Sequence, residues 1–177
     1  MIQAKTLRIA LCSAAALALA LPASAQDVKL TPEQETANIT AASEVDGKWF
    51  TAEDIPTFKI AEDGTVDWYT FSGFRRYNAE CSVCHGPDGQ GSTYAPALAK
   101  SVLRLDYYDV MGIVAGGKQE GNLVMPAFGD NKNVMCYLDD IYVYLKAVGT
   151  GAIQRGRPAK RADKPEAYVE QENACMG

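Results

Sequence analysis

Histidine is nearly missing from this chain of 177 residues, which has one, His85. Any centre that needs two imidazoles is therefore excluded, a two-histidine zinc site among them, and so is a catalytic triad that calls on another histidine. Positive charge is also in short supply, with 17 Lys and Arg against 22 Asp and Glu. Residues 1–25 hold two of those bases, Lys5 and Arg8, and no acid, so the remainder carries 15 against 22, a charge of −7. That balance argues against nucleic acid and anionic membranes, and it suits a partner that presents a basic patch. Beyond residue 25 no apolar run reaches membrane length, so no stable membrane insertion is expected. No internal repeat is visible, and a monomer is expected.

The one long apolar run opens the chain. Lys5 and Arg8 precede an almost wholly apolar stretch from Ile9 to Leu21, and Ala23-Ser24-Ala25 follows. This pattern predicts a secretory signal over residues 1–25, cleaved after Ala25, and hence a periplasmic protein. Leu11 before Cys12 is too large for the cleavage that would expose a lipidated cysteine. Cysteine is sparse too, at five. Cys12 leaves with the signal and Cys81 and Cys84 belong to a motif of their own. Cys136 and Cys175 remain, an even pair in an oxidising compartment, and a disulfide is expected. Closing that loop contributes about 4 kcal/mol on the chain-entropy argument and would pin the tail to the body.

The chemistry is concentrated in Cys81-Ser82-Val83-Cys84-His85, followed at once by Gly86-Pro87-Asp88-Gly89. Two cysteines three apart with a histidine directly after form the attachment signature of c-type haem. Both thiols fall on one helical turn and can each add to a vinyl group of one porphyrin, while His85 supplies an axial nitrogen to the iron. One haem c is expected. The other axial position is then open or taken by Met, Lys, water or the N-terminus. Of the four methionines beyond residue 25, Met111 falls inside an expected helix, Met135 in the first turn of another, and Met176 at the chain end. Met125 precedes Pro126, which disfavours helix and holds it extended in a loop. It is the expected sixth ligand, and Met–His ligation suits electron transfer.

Around this motif the chain divides in order. Residues 26–43 are polar and read as a mobile arm. Trp49, Phe50, Phe58 and Trp68 mark a wrapping segment, in which Asp63-Gly64 supports a small hairpin between Thr57–Ile60 and Thr65–Trp68. Those aromatics read as packing, with shielding of the haem by Trp49 or Trp68 as the alternative. A helix is expected from Asp67 or Ser72 to Cys81, with Gly73, Tyr77 and Cys81 on one face at steps of four. The Gly86–Ala97 loop offers the Pro96 carbonyl as acceptor for the Nδ1 hydrogen of His85. Asp106 caps a helix to Ala115, residues 118–132 form a loop, and a last helix runs from Asn133 to Val148 with Leu138, Ile141, Tyr144, Leu145 and Val148 as its apolar stripe. In the tail, Arg155 and Arg157 are candidates to pair with haem propionates, against the blander reading of a solvated basic run.

From Gly73 to Ala147 the chain resembles a class I cytochrome c. The likeness rests on Gly73 and Tyr77, the Cys81–His85 motif, Pro96, Met125-Pro126 and Asp140–Lys146. In that family the first and last helices cross at the glycine, which puts Ile141 and Tyr144 at the matching contacts. A narrower resemblance rests on Asp63–Trp68, Cys84–Gly89, Val124–Gly129, Cys136–Tyr142 and Arg155–Pro158. It points to the four-cysteine periplasmic cytochromes of methanol metabolism, similar to the electron acceptors of PQQ-dependent methanol and alcohol dehydrogenases. The resemblance implies such a dehydrogenase as electron donor and another c-type cytochrome or oxidase as acceptor, with no catalytic residues. The expected fold is therefore mainly α, a single-haem class I cytochrome c core over 67–148. A wrapping extension over 26–66 precedes it and a disulfide-tethered tail over 149–177 follows. Two rival readings remain: a four-thiolate zinc protein on Cys81, Cys84, Cys136 and Cys175, which leaves the position of His85 unexplained, and a haem protein with an open iron acting as a peroxidase-like or ligand-sensing protein.

Overall fold

The computed structural model describes residues 39–177; the expected signal and most of the polar arm lie outside the described residues. Helix α1 (Trp68–Glu80) starts where Asp67 accepts hydrogen bonds from the Thr70 N–H at 2.8 Å and the Thr70 hydroxyl at 2.7 Å. A carboxylate at this position satisfies an amide that has no partner within the helix. The chain then continues through a single turn, α2 (Ser82–His85), a 3₁₀ turn at Pro87–Gly89, and the short α3 (Leu98–Ser101). Next come α4 (Tyr107–Gly116), α5 (Lys132–Met135), α6 (Leu138–Gly149) and a terminal α7 (Glu166–Met176).

The centre of the fold is the crossing of α1 and α6. Gly73 is what allows it: a Cβ added there would lie 1.9 Å from the Asp140 carbonyl oxygen and 2.8 Å from Tyr144 Cβ. On either side of that contact the rings of Phe74 and Tyr77 pack on Tyr144, with centroids 5.7 and 5.6 Å apart. Ile141, Tyr144, Leu145 and Val148 bury the α6 stripe with Tyr77 and Val102 in one core. A second core lies at the other end of α1, where Trp68, Tyr69 and Phe71 meet Val66, Tyr137 and the tail residue Tyr168. Trp68 therefore packs, as the simpler reading of the aromatics expected, and Trp49 lies half-buried beneath the Lys59 ammonium, 5.4 Å from its ring centre.

Four segments differ from expectation. The hairpin lies upstream of Asp63-Gly64: β1 (Ser43–Val45) and β2 (Lys48–Phe50) join at Asp46-Gly47, both with positive φ, and β3 (Pro56–Thr57) adds to β2. Asp-Gly is the same turn signal in both places. At Asp63-Gly64 only one antiparallel bridge forms, Ile60 to Val66. Asp67 is already engaged as the helix cap and as acceptor for the Lys59 amide at 2.8 Å, while the other edge of Val66 pairs with the tail at Arg161. Residues 118–132 are not all loop, since β4 (Lys118–Glu120) and β5 (Leu123–Met125) form a hairpin through Gly121-Asn122. The last helix is broken at Tyr137 (φ −129°, ψ 16°), whose hydroxyl donates to Glu172 at 2.6 Å. Finally, the tail holds α7, which a single buried residue, Tyr168, gives too weak a stripe to announce.

The Cys136–Cys175 disulfide closes with Cα atoms 5.7 Å apart and fastens α7 to the start of the α5–α6 segment. Arg76 stacks 3.5 Å over Tyr137 and reaches Glu172, which also pairs with Lys164. Beneath this seam Asp140 is buried, accepting the Tyr168 hydroxyl hydrogen at 2.8 Å, and Tyr168 in turn shares a hydrogen with Ser72 at 2.6 Å.

Two predictions concern this crossing. Gly73→Ala forces the helices apart and is expected to destabilise the holoprotein by about 3 kcal/mol or more, read as a lowered denaturant midpoint. Burial pushes the Asp140 carboxyl up to about 7, against the pull of Ser72, Tyr168 and Lys48 and with the help of Asp139. The folded protein thus holds a proton that the unfolded chain releases near its ordinary value of about 4. This group's contribution therefore falls as pH rises from about 4 to about 7 and is level above that. Asp140→Asn is expected to gain stability relative to the parent between about pH 5 and about pH 8; a pH-independent difference between the two would contradict this.

Candidate haem site

The attachment motif is presented by the end of α1. Cys81 still donates its N–H to the Tyr77 carbonyl at 2.9 Å, but its backbone (φ −115°, ψ −30°) turns the chain into α2. Cys81 and Cys84 sit on either side of that one turn, and the His85 amide closes it on the Cys81 carbonyl at 3.0 Å. Gly86 then reverses the chain at φ 73°, where a Cβ would come 2.4 Å from the Gly91 carbonyl oxygen. Three bonds hold the reversal: the Tyr77 hydroxyl donates to the Gly86 carbonyl at 2.5 Å, Gly91 N–H to the His85 carbonyl at 2.7 Å, and the Ser92 hydroxyl to the Cys84 carbonyl.

His85 is buried, 7% exposed. Its Nδ1 lies 2.9 Å from the Pro96 carbonyl oxygen. A carbonyl can only accept, so the hydrogen is on Nδ1 and the lone pair is presented by Nε2. The same bond fixes the tautomer and the ring plane. Cys81 and Cys84 are free thiols, the first half-buried and the second exposed.

Met125, the expected sixth ligand, belongs to the strap that follows α4. Asp106 caps α4 by accepting the Asp109 amide at 2.8 Å. None of the helix's residues is fully buried, although it carries Val110, Met111, Ile113 and Val114. The strap from Met125 to Gly129 lies against the end of α4: Phe128 and Gly129 donate to the Val114 and Ala115 carbonyls, each at 3.0 Å. A Cβ on Gly117 would come 2.8 Å from both the Met125 oxygen and the Ala127 nitrogen. Met125 is half-buried at the end of β5, in register with Lys118.

These residues fit one haem c. Two unbridged thiols stand on one turn, an imidazole offers Nε2, and an apolar helix face is left partly uncovered by other side chains. When bound, the haem supplies a one-electron ferric–ferrous couple. The chain's part is to orient His85 through Pro96 and to hold the motif turn through Tyr77 and Gly91.

A residue the sequence reading passed over is Asp88. It is buried in a left-handed backbone conformation, φ 56°, and accepts from the Tyr144 hydroxyl at 3.0 Å, the Gly156 amide at 2.9 Å and Arg155 Nε at 3.2 Å. In the sequence it stands only as one residue of the loop that follows the motif. Arg155 thus has a protein carboxylate as partner, and Arg157 stacks over Phe71 at 5.3 Å, so the run is anchored rather than simply solvated. The four-thiolate zinc alternative fails, because Cys136 and Cys175 are consumed by their disulfide and no metal-binding cluster of His, Cys, Asp or Glu occurs among the described residues. Among those residues, too, no helix is long and apolar enough to cross a membrane.

Residues 71–145, from α1 to α6, match the family described as cytochrome C oxidase, cbb3-type, subunit III. The chain is 66% identical to cytochrome c-553I of Paracoccus denitrificans over 78% of its own length and 63% of that relative's. It is 34% identical to cytochrome c-555 of Methylococcus capsulatus, over 57% of this chain and 76% of that one. The crystal structure of the c-type cytochrome XoxG from Methylobacterium extorquens AM1 superposes with a TM-score of 0.77 at 59% identity, covering 83% of this chain and 92% of that one. The chain belongs to the class I c-type cytochromes, and its cofactor is haem c.

Replacing Cys81 and Cys84 together by Ala is expected to abolish haem-linked peroxidase staining of the denatured protein. Staining retained in the double variant would remove the covalent attachment from these positions.

Proposed function

We propose that this protein is a periplasmic electron carrier that takes single electrons from a PQQ-dependent methanol or alcohol dehydrogenase. It passes them to another c-type cytochrome or a terminal oxidase. The observation that carries this reading is the placement of the attachment turn at the surface. Val83 is 85% exposed and Cys84 is exposed, while His85, the next residue, is buried. A haem attached at Cys81 and Cys84 would be held by a surface turn beside a shielded iron ligand, which suits electron passage without a substrate pocket. His85 and Met125 are the axial ligands, the second delivered by the strap that Pro126 keeps extended. The donor class rests on the motifs shared with the methanol-metabolism cytochromes and is supported by the likeness to XoxG and cytochrome c-553I. Export follows from the signal pattern of residues 1–25.

Stopped-flow reduction of the ferric protein by purified quinoprotein dehydrogenases over a salt series tests the donor. Rapid reduction that slows with ionic strength is expected, given the charge of −7 beyond residue 25. No reduction by any of them rejects this donor class. Met125→Ala is expected to lower the midpoint potential and to remove the methionine–iron absorption band of the ferric form; an unchanged spectrum would instead favour an open-iron, ligand-sensing protein.

A further inference from the structure

Asp88 lies three residues beyond His85 in the sequence and is 7% exposed. Its Oδ1 accepts from Tyr144 and Gly156, and its Oδ2 from Arg155, which reaches it from 67 residues away. Tyr144 packs on Tyr77, and the Tyr77 hydroxyl holds the Gly86 carbonyl directly after the iron ligand. The carboxylate is thus built into the haem-bearing turn. Burial would raise its pKa, but the Gly156 amide, the Tyr144 hydroxyl and the Arg155 guanidinium outweigh burial and hold it below the usual carboxylate range. It is an ionised, enclosed negative charge. Its counter-charge differs in setting, since the Arg155 side chain is 64% exposed.

We propose that Asp88 and Arg155 form a charge pair that sets the redox potential of the haem held by His85, Asp88 lowering it and Arg155 partly offsetting that effect. Reduction adds one electron at the iron and no proton at either residue. A fixed negative charge nearby therefore favours the ferric state, and a fixed positive charge the ferrous state. Water screens Arg155 more than the buried Asp88, because screening falls with burial. The net action of the pair is to lower the potential. This inference rests on the haem-binding site and not on the identity of the electron donor.

The test is the midpoint potential of the purified holoprotein, measured by spectroelectrochemistry for Asp88→Asn, Arg155→Gln and the double variant. Asparagine accepts left-handed backbone as aspartate does and keeps an acceptor oxygen for Tyr144 and Gly156, so the charge is removed with those two bonds kept; its amide nitrogen cannot accept from Arg155, whose exposed side chain turns to solvent instead. Asp88→Asn is expected to raise the potential, Arg155→Gln to lower it by a smaller amount, and the double variant to lie between the two. A merely structural role, in which either change loosens the tail, would shift both single variants the same way. That outcome, or no shift in either, overturns the proposal. If Asp88→Asn does not accumulate with haem, Arg155→Gln decides alone: a lowered potential supports the pair, and an unchanged or raised one overturns it. The potential is independent of the dehydrogenase, so a failed donor assay and a failed charge-pair test remain distinct results.

Discussion

The close approach of α1 to α6 at Gly73 is the constraint from which the rest of the structure follows. Because no side chain stands between Gly73 and the Asp140 carbonyl, the helices meet backbone to backbone, and Phe74, Tyr77 and Tyr144 interlock around that point. Two turns further along α1, the same helix delivers Cys81 and the motif turn. The position of the haem-bearing residues is therefore set by a packing contact and only secondarily by the loops. Tyr77 links the two directly, since its ring belongs to the crossing and its hydroxyl to the Gly86 carbonyl.

The C-terminal tail is structural in a way that its charge alone does not suggest. It pairs with Val66 beside the start of α1, seals the second core with Tyr168, and sends Arg155 and Gly156 to Asp88. Its cations lie over aromatic faces, Arg161 at 4.8 Å from Trp68 and Lys164 at 5.1 Å from Tyr168. Such contacts retain the charge at the surface while covering apolar area with the stems.

What the sequence displayed was the chemistry with a fixed local spacing. The Cys81–His85 motif, the four-residue steps from Gly73 to Cys81, the stripe of α6 and the Asp106 cap each depend on neighbours a few positions away, and each could be read directly. The disulfide was legible by counting, once Cys81 and Cys84 had a use. What stayed hidden depends on partners far along the chain. Asp67 ends the Asp63-Gly64 hairpin because it caps α1, and the other edge of Val66 pairs with Arg161. Tyr137 breaks the last helix because its hydroxyl is committed to Glu172. Asp88 stood out as no more than a loop residue because its three donors come from residues 144, 155 and 156. The Asp46-Gly47 and Gly121-Asn122 turns carried local signals that were present but overlooked.

The tail's role has a consequence for how the protein is made. Tyr168 and Cys175 follow His85 by more than 80 residues. The second core and the shield over Asp88 are incomplete until residues 155–168 have docked. Before that docking, the cysteine pair at 81 and 84 and the pair at 136 and 175 coexist as thiols on one unfolded chain. Fidelity of maturation then depends on timing as much as on affinity. The two thiols on the motif turn must be kept for the porphyrin while Cys175 finds Cys136, and the docking of α7 brings that correct partner within reach.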